Sequence, residues 1–348
     1  MANHLLTGSL MEKPLIVFTE KGMYCPQGDF YIDPWQAVAK AVITHAHSDH
    51  ARPGSLHYLA HTQSEAILKQ RLGASISLQT LAWQAPIDIN GVKLSLHPAG
   101  HIAGSSMVRL QAGSQTWLIT GDYKLENDGI SGAWEPVACT HMVTECTFGL
   151  PIYQWQPQEQ VYAQMRQWVS QNHQAGICSV FYAYSLGKAQ RIVQALATLD
   201  IPILAHGAVY LAHEAVRASG IALPVLERIT PQTTKAHLKG AIVLAPPGAQ
   251  GTPWLKRLTP YADAACSGWM QVRGNKRRNN TDNTFVLSDH ADWPGLLQAI
   301  KACQPAEVFA THGFTETFSR YLKETYNLKS SAVTTQFGQE EPLEPETA

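Results

Sequence analysis

Residues 45–50 read His45-Ala46-His47-Ser48-Asp49-His50, which puts four metal-ligating side chains in six positions. Imidazole and carboxylate together suit zinc or a similar divalent ion. A loop this short cannot turn all four donors onto one ion, so the spacing points to two adjacent ions. His45 and His47 would serve one, Asp49 and His50 the other. The bland alternative, a solvated loop rich in histidine, is outweighed because further donors recur in one context. His101 in Gly100-His101-Ile102, Asp122 in Gly121-Asp122-Tyr123 and His312 in Thr311-His312-Gly313 each follow an apolar run and sit beside a glycine. Glycine allows close backbone approach, and a strand end holds a ligand rigidly while leaving it in reach of substrate.

Such donors need a scaffold, and the chain can build one. Its 348 residues are 45% hydrophobic and 15% charged, enough for a sizeable core and against disorder. With Lys+Arg 26 against Asp+Glu 27 there is no global basic field, so any nucleic-acid site must be local. Cys25, Cys139, Cys146, Cys178, Cys266 and Cys303 form no Cys-x-x-Cys pair, which excludes a zinc ribbon and a dense disulfide framework and favours a reducing compartment. The first residues, Met1 to Gly8 with Glu12 and Lys13 soon after, lack the basic start and apolar core of a secretory signal. No apolar run reaches the roughly 18 residues of a membrane span. The expectation is a soluble, cytoplasmic protein with no membrane partner.

Strand-like runs open the chain: Leu15 to Phe18, Asp29 to Asp33, Ala41 to Thr44, Val92 to His97, Ser106 to Gln111, Thr116 to Thr120 and Met142 to Thr144. A helix from about Ser64 to Leu72 is stopped by Gly73. From about residue 149 helices and strands alternate, with a helix near Glu159 to Gln171, strands at Ile177 to Tyr182, Ile201 to Ala205 and Ala241 to Leu244, and helices between them. That βα order predicts a mostly parallel sheet in a second domain. Strand Thr284 to Leu287, helix Trp293 to Cys303, strand Glu307 to Ala310 and helix Thr315 to Tyr326 resume a core-like pattern. The tail, 338–348, is acidic and proline-containing and reads as disordered.

The His-x-His-x-Asp-His loop, the later His101 and Asp122 resemble the metallo-β-lactamase superfamily. The resemblance implies an αββα sandwich of the α/β (α+β) class with a binuclear site at the edge of its two sheets. By that resemblance His45, His47 and His101 hold one ion, Asp49, His50 and His312 the other, and Asp122 bridges them. The cofactors implied are two divalent ions, zinc foremost and manganese second. Asp33 resembles the family's early aspartate, which braces the ligand loop; a plain turn before Pro34 is the competing reading. Thr144-Glu145-Cys146-Thr147-Phe148-Gly149, Ser288-Asp289-His290-Ala291-Asp292 and Ala310-Thr311-His312-Gly313 resemble motifs of the β-CASP nucleases, which insert an α/β domain into this fold. The chain then divides into a first core part at 1–148, an inserted domain at 149–283, a closing core part at 284–337, and the tail. Gly121-Asp122-Tyr123-Lys124, Phe148-Gly149-Leu150-Pro151 and Leu287-Ser288-Asp289-His290-Ala291-Asp292-Trp293 are similar to the bacterial ligase-associated DNA exonucleases.

Two neighbouring ions suit phosphodiester hydrolysis, because they activate a water and neutralise the attacking and leaving oxygens. The expected catalytic residues are His290 as general acid, Glu145 holding its ring and raising its pKa, and Asp49; Asp289 competes with His290. Arg273, Lys276, Arg277 and Arg278 form a local basic run for a phosphate backbone. Ser185, Gly187 and Lys188, opening a helix, could hold another phosphate. Tyr182, Tyr184 and Trp269 could stack bases, although burial suits such strand aromatics better. The leading expectation is a DNA exonuclease in end processing for repair, linked by resemblance to an ATP-dependent ligase and a helicase, with 5′ attack favoured. The alternatives are a ribonuclease of the same fold, since His312 is shared with the RNA-processing branch, and a scaffold subunit without activity.

Overall fold

The computed structural model of the protein describes residues 13–333. Residues 1–12, on which the absence of a signal sequence was read, and the acidic tail 338–348, read as disordered, lie outside the described residues. Strands dominate the first part: β1 (Val17–Thr19), β2 (Gly22–Cys25), β3 (Phe30–Ile32), β4 (Lys40–Val42) and β5 (His57–His61), then helix α1 (Glu65–Leu72), β6 (Leu78–Leu81), β7 (Ile87–Ile89), β8 (Val92–Pro98), β9 (Ser106–Ala112), β10 (Gln115–Ile119) and β11 (His141–Cys146). Alternation follows: α2 (Gln158–Gln174), β12 (Cys178–Tyr182), α3 (Lys188–Leu196), β13 (Ile203–Ala205), α4 (Gly207–Ala218), β14 (Glu227–Arg228), α5 (Lys235–Leu238), β15 (Ile242–Ala245), β16 (Tyr261–Cys266), α6 (Arg273–Arg278) and β17 (Asn283–Phe285). The chain closes with α7 (Trp293–Cys303), β18 (Glu307–Gly313), α8 (Thr315–Tyr326) and β19 (Lys329–Ala332).

Two sheets, ordered β1-β2-β3-β4-β5-β6 and β19-β18-β11-β10-β9-β8-β7, face each other. Period-two alternation decides which side chains meet between them. On β10, Trp117 and Ile119 join Phe30, Ile32 and Val42 of the first sheet in one core. Leu118 between them turns the other way, onto Leu296, Ile300 and Phe318 of α7 and α8. Ala41, Tyr58 and Ala60 on the far face of the first sheet pack on Ile67 and Leu68 of α1. The layers are therefore helix, sheet, sheet, helix, the αββα sandwich expected of the chain.

The third sheet, β14-β13-β15-β12-β16-β17, is parallel throughout. Cys178–Tyr182 is buried along its whole length, as a parallel strand covered on both faces must be. Alternate residues serve two cores, Phe181 with Met165 and Ile192 of α2 and α3, and Val180 with Leu238 and Leu255. β16, whose Ala262, Ala264 and Ala265 carry little strand signal, is not legible in the sequence. The basic run that includes Arg273, Lys276, Arg277 and Arg278 forms the short helix α6. All six cysteines are buried free thiols. Among the described residues no helix is long and apolar enough to cross a membrane.

One buried histidine outside the site makes acid stability testable. His61 stacks on Trp83 with ring centroids 4.0 Å apart, and burial holds its pKa down at about 4. Below its ordinary 6.5 the unfolded chain binds a proton that the folded chain refuses. The stability that depends on the neutral ring is complete above about pH 6.5 and is lost as pH falls from there toward 4, a loss of up to about 3 kcal/mol. Urea melts at about pH 7.5 and about pH 5 should show this slope, and His61→Phe should make it shallower, the remainder coming from other histidines lowered by burial, such as His97 and His213.

Candidate metal centre

The donors collect at one edge of the sandwich. β10, β11 and β18 run parallel, with Ile119 opposite Val143 and Glu145 opposite Thr311, so Asp122, Glu145 and His312 leave their carboxyl ends side by side. β8 is antiparallel to β9, and β9 to β10, which brings His101 to the same edge. β4 of the facing sheet leads into His45, His47, Asp49 and His50. Gly313 lets β18 come in close, since a Cβ there would lie 2.3 Å from the Cys146 carbonyl oxygen, and its φ of 86° favours glycine.

Donor atoms of His45, His47, His101 and Asp122 lie within 4.8 Å of one another, and so do those of Asp49, His50 and His312. Asp122 faces both sets. Its Oδ2 is 3.5 Å from His45 Nε2, 3.8 Å from His101 Nε2 and 3.4 Å from His50 Nε2. His312 stacks on His50 at 5.1 Å between ring centroids.

The outer nitrogens of His45, His47, His50 and His101 are each committed to an acceptor. His50 Nδ1 donates to Asp33 Oδ2 at 2.8 Å. The Thr44 hydroxyl donates to the same carboxylate at 2.6 Å, so it must accept from His45 Nδ1 at 3.1 Å. His101 Nδ1 donates to the Asp289 carbonyl at 3.0 Å, and His47 Nε2 to the Leu186 carbonyl at 3.2 Å. In the neutral form of these four rings the inner nitrogen is then a lone pair. His47 Nδ1 and His101 Nε2 face each other at 3.1 Å, and His45 Nε2 and His50 Nε2 are buried without a hydrogen-bond partner. Converging lone pairs beside carboxylates are what a cation settles, so this donor set fits divalent metal. The electrostatics agree. Burial foremost, then the neighbouring imidazoles, pushes the pKa values of His45 and His101 well down. Burial opposes charge on His50 too, but Asp49, Asp122 and Asp33 outweigh it and draw its pKa well up. The centre favours positive charge at its middle.

Asp33 thus orients two donors at once, and it also accepts from the Thr44 amide at 2.8 Å. Asp33→Ala is expected to weaken metal retention ten- to hundredfold, the usual effect of losing a carboxylate behind a histidine ligand. Metal content after dialysis against a graded chelator measures it, and unchanged retention would assign Asp33 to the turn before Pro34 alone.

Glu145 and His290 meet beside the donors. His290 Nδ1 lies 2.9 Å from Glu145 Oε2 and 3.0 Å from Oε1, and Glu145 Oε1 also accepts from the Tyr123 amide at 2.9 Å. Asp122, Glu145 and His290 form a third close group. The His290 loop is pinned by Asp292, which caps α7 through the Gly295 amide at 3.0 Å and takes the Trp155 amide at 2.8 Å. Asp289 does not compete as an acid. Its carboxyl is buried, and although burial opposes charge, Lys188 and Arg191 hold its pKa at about 2.

The expected phosphate contacts divide. Ser185 lines the cavity of about 1050 Å³ that opens onto the centre. The Gly187 amide instead donates to Gln190 Oε1 at 2.7 Å, and Lys188 is buried with its Nζ 3.6 Å from Asp289 Oδ2, so both are spent inside the protein. Arg273, Lys276, Arg277 and Arg278 lie exposed on α6, and none lines the cavity. Tyr182 is buried on Asp263, Trp269 packs on Phe148, and Tyr184 lines the cavity. Sequence reading missed Arg191. Fully buried on α3, it donates to the Gly100 and His101 carbonyls at 3.0 and 2.8 Å and pairs with Asp128 at 2.9 Å. No local motif signals it, because Gly100 is 91 residues away in sequence.

No protein-family model matches the sequence. Among curated proteins, a Probable DNA ligase of Opitutus terrae is 30% identical over 87% of this chain. Endoribonuclease YSH1 of Saccharomyces cerevisiae is 26% identical over 33% of the chain, and the Cleavage and polyadenylation specificity factor subunit 3 of Dictyostelium discoideum 26% over 39%. The matched stretch spans 30% of the first relative, 15% of the second and 18% of the third. A crystal structure of a protein of unknown function from Enterococcus faecalis shares the fold, with TM-score 0.56 and 12% identity over 87% of this chain and 80% of that one. The order of donors along the chain, the sandwich that gathers them and these relatives agree that the chain resembles the β-CASP branch of the metallo-β-lactamase superfamily.

Proposed function

We propose that this chain is a binuclear metal-dependent nuclease, an exodeoxyribonuclease that trims DNA ends for repair. The observation that carries the reading is the Glu145–His290 pair standing against two donor sets, with Asp122 of the first also 3.4 Å from His50 Nε2 of the second. Zinc foremost, or manganese, at His45, His47, His101, Asp122, Asp49, His50 and His312 would supply charge neutralisation for a phosphate and activation of a water. The protein's own groups do the rest. His290, which lines the cavity, gives its Nε2 proton to the departing oxygen. Glu145 holds Nδ1, fixes the ring's direction and offsets the charge of the protonated ring. Asp49, also on the cavity wall, is positioned to accept from the attacking water. We assign residues 149–283 to the inserted domain, with 1–148 and 284–337 completing the core.

DNA is favoured over RNA because the relative matched over most of this chain bears the name of a DNA ligase. Sealing needs ends of defined chemistry, which suits an end-trimming partner to a ligase; a helicase partner, a cytoplasmic place and attack from the 5′ end belong to the proposal through the family resemblance alone. The ribonuclease reading has its own support in the endoribonuclease name of the partial relatives. A scaffold without activity would need no complete donor set, and here seven donors gather. Strands labelled at the 5′ or the 3′ end, with matched RNA, should be digested in the presence of zinc or manganese. Progressive loss of the 5′ label from DNA first is the expected result. Intact linear single- and double-stranded DNA would overturn the reading, and digestion of RNA alone would select its rival.

A further inference from the structure

Two of the four donors in the first set take their direction from outside the sandwich. His47 and His101 are held by the turn before α3 and by α3 itself, which lie in the segment 149–283. His47 Nε2 donates to the Leu186 carbonyl in that turn at 3.2 Å. The turn is pressed onto the loop that carries His101. A Cβ at Gly187, where φ is 96°, would lie 2.4 Å from Ile102 Cγ2. One helical turn further on, Arg191 reaches across the same contact.

The side chain of Arg191 is buried, and its Nη2 donates to the Gly100 and His101 carbonyls at 3.0 and 2.8 Å. These carbonyls belong to the two peptide groups that flank the His101 Cα. Peptide groups are planar, so fixing both fixes the direction in which the His101 side chain leaves the backbone. The rotation of the ring is set by the Asp289 carbonyl, which accepts from Nδ1 at 3.0 Å. Asp289 is held in turn by α3, with its Oδ1 3.3 Å from Arg191 Nε and its Oδ2 3.6 Å from Lys188 Nζ. Arg191 therefore grips His101 both at its backbone and, through Asp289, at its ring. Asp128 Oδ2, 2.9 Å from Nε, orients the guanidinium. A guanidinium carries five N–H donors in one rigid plane, and no other cationic side chain can serve two carbonyls and two carboxylates together.

The second set is braced differently. His50 Nδ1 goes to Asp33, which also takes the Thr44 amide and hydroxyl, all within the first sheet and its loops. That brace owes nothing to α3.

We propose that Arg191 is a positioning residue for the first metal set. It ties His101 to α3, so the ion at His45, His47, His101 and Asp122 depends on how the segment 149–283 is seated, whereas the ion at Asp49, His50 and His312 does not. This rests on the two-ion reading above, and the test separates the two.

The full chain is loaded with zinc and dialysed against a graded chelator, and its metal is counted by elemental analysis. Wild type should hold two ions. Arg191→Lys keeps the buried charge but lacks the planar fork. It should give up one ion at a chelator concentration roughly ten- to hundredfold lower, the usual range for a group behind a histidine ligand, and keep the other as wild type does. Asp128→Asn removes the charge facing Nε but keeps an oxygen for the Ile130 and Ser131 amides. It should shift the same ion in the same direction, and it decides the matter if Arg191→Lys fails to fold. His47→Ala, which removes a donor of the first set outright, identifies that ion. Adding Arg191→Lys to it should leave retention of the remaining ion unchanged, because losses at one shared site do not add. Folded variants that keep both ions as wild type does would overturn the positioning role. Release of both ions in parallel would overturn it too, leaving Arg191 a residue of general stability. A wild type that takes up fewer than two ions would overturn the two-ion reading itself, and this role with it.

Discussion

Substituting His290 by alanine is expected to lower cleavage of a DNA strand by roughly a thousandfold at saturating substrate, within the range for losing a general acid, while the protein keeps its full metal content. The separation follows from geometry. The two candidate donor sets are His45, His47, His101 and Asp122, and Asp49, His50 and His312; His290 belongs to neither, and its Nδ1 is taken by Glu145 at 2.9 Å. Its removal takes away the proton for the departing oxygen and leaves the cages whole. Turnover of bis(p-nitrophenyl) phosphate sharpens the result, because p-nitrophenolate leaves without needing a proton. The variant should retain far more of that activity than of DNA cleavage. Loss of metal together with activity would make His290 a structural or ligating residue and remove it from the acid role.

Asp122→Ala is expected to have an effect of similar size by the opposite route, abolishing activity by emptying the centre. Asp122 Oδ2 stands between 3.4 and 3.8 Å from three inward imidazole nitrogens of both sets, so its loss removes an oxygen that faces both. Elemental analysis should find the metal content at or below half that of wild type. Thermal melts give a second measure. A ligand at about a hundred times its dissociation constant stabilises the folded chain by about 2.7 kcal/mol, so wild-type protein should melt lower in chelator and recover with added zinc. The variant should respond far less to either. A variant that keeps its metal and its melt would show that Asp122 does not bridge.

Much of this centre is legible in the chain. His45, His47, Asp49 and His50 declare themselves because a short loop cannot space its donors otherwise, and His101, Asp122 and His312 because each follows an apolar strand beside a glycine. Strands with strong alternation, such as β8 and β9, and a helix with a clear N-cap, such as α7 behind Asp292, stand where hydrophobic periodicity puts them. β16 does not, since alanines pack well in a crowded parallel sheet without any β propensity to announce it. The cations show the limit more sharply. A run of four basic residues looks like a phosphate contact, but α6 carries it away from the cavity, while Arg52, Arg71 and Arg228, isolated in sequence, line it together.

By itself, then, the sequence determined the donor types and most of the order of strands and helices, because ligand chemistry and hydrophobic period are local properties, while the layered class of fold was implied by the family resemblance. Only the tertiary structure decided which nitrogen of His45, His47, His50 and His101 faces inward, and that Asp289 is an ionised brace held by Lys188 and Arg191 instead of an acid. Those depend on partners from distant segments, on burial and on the order of parallel strands, none of which neighbouring residues in the chain encode.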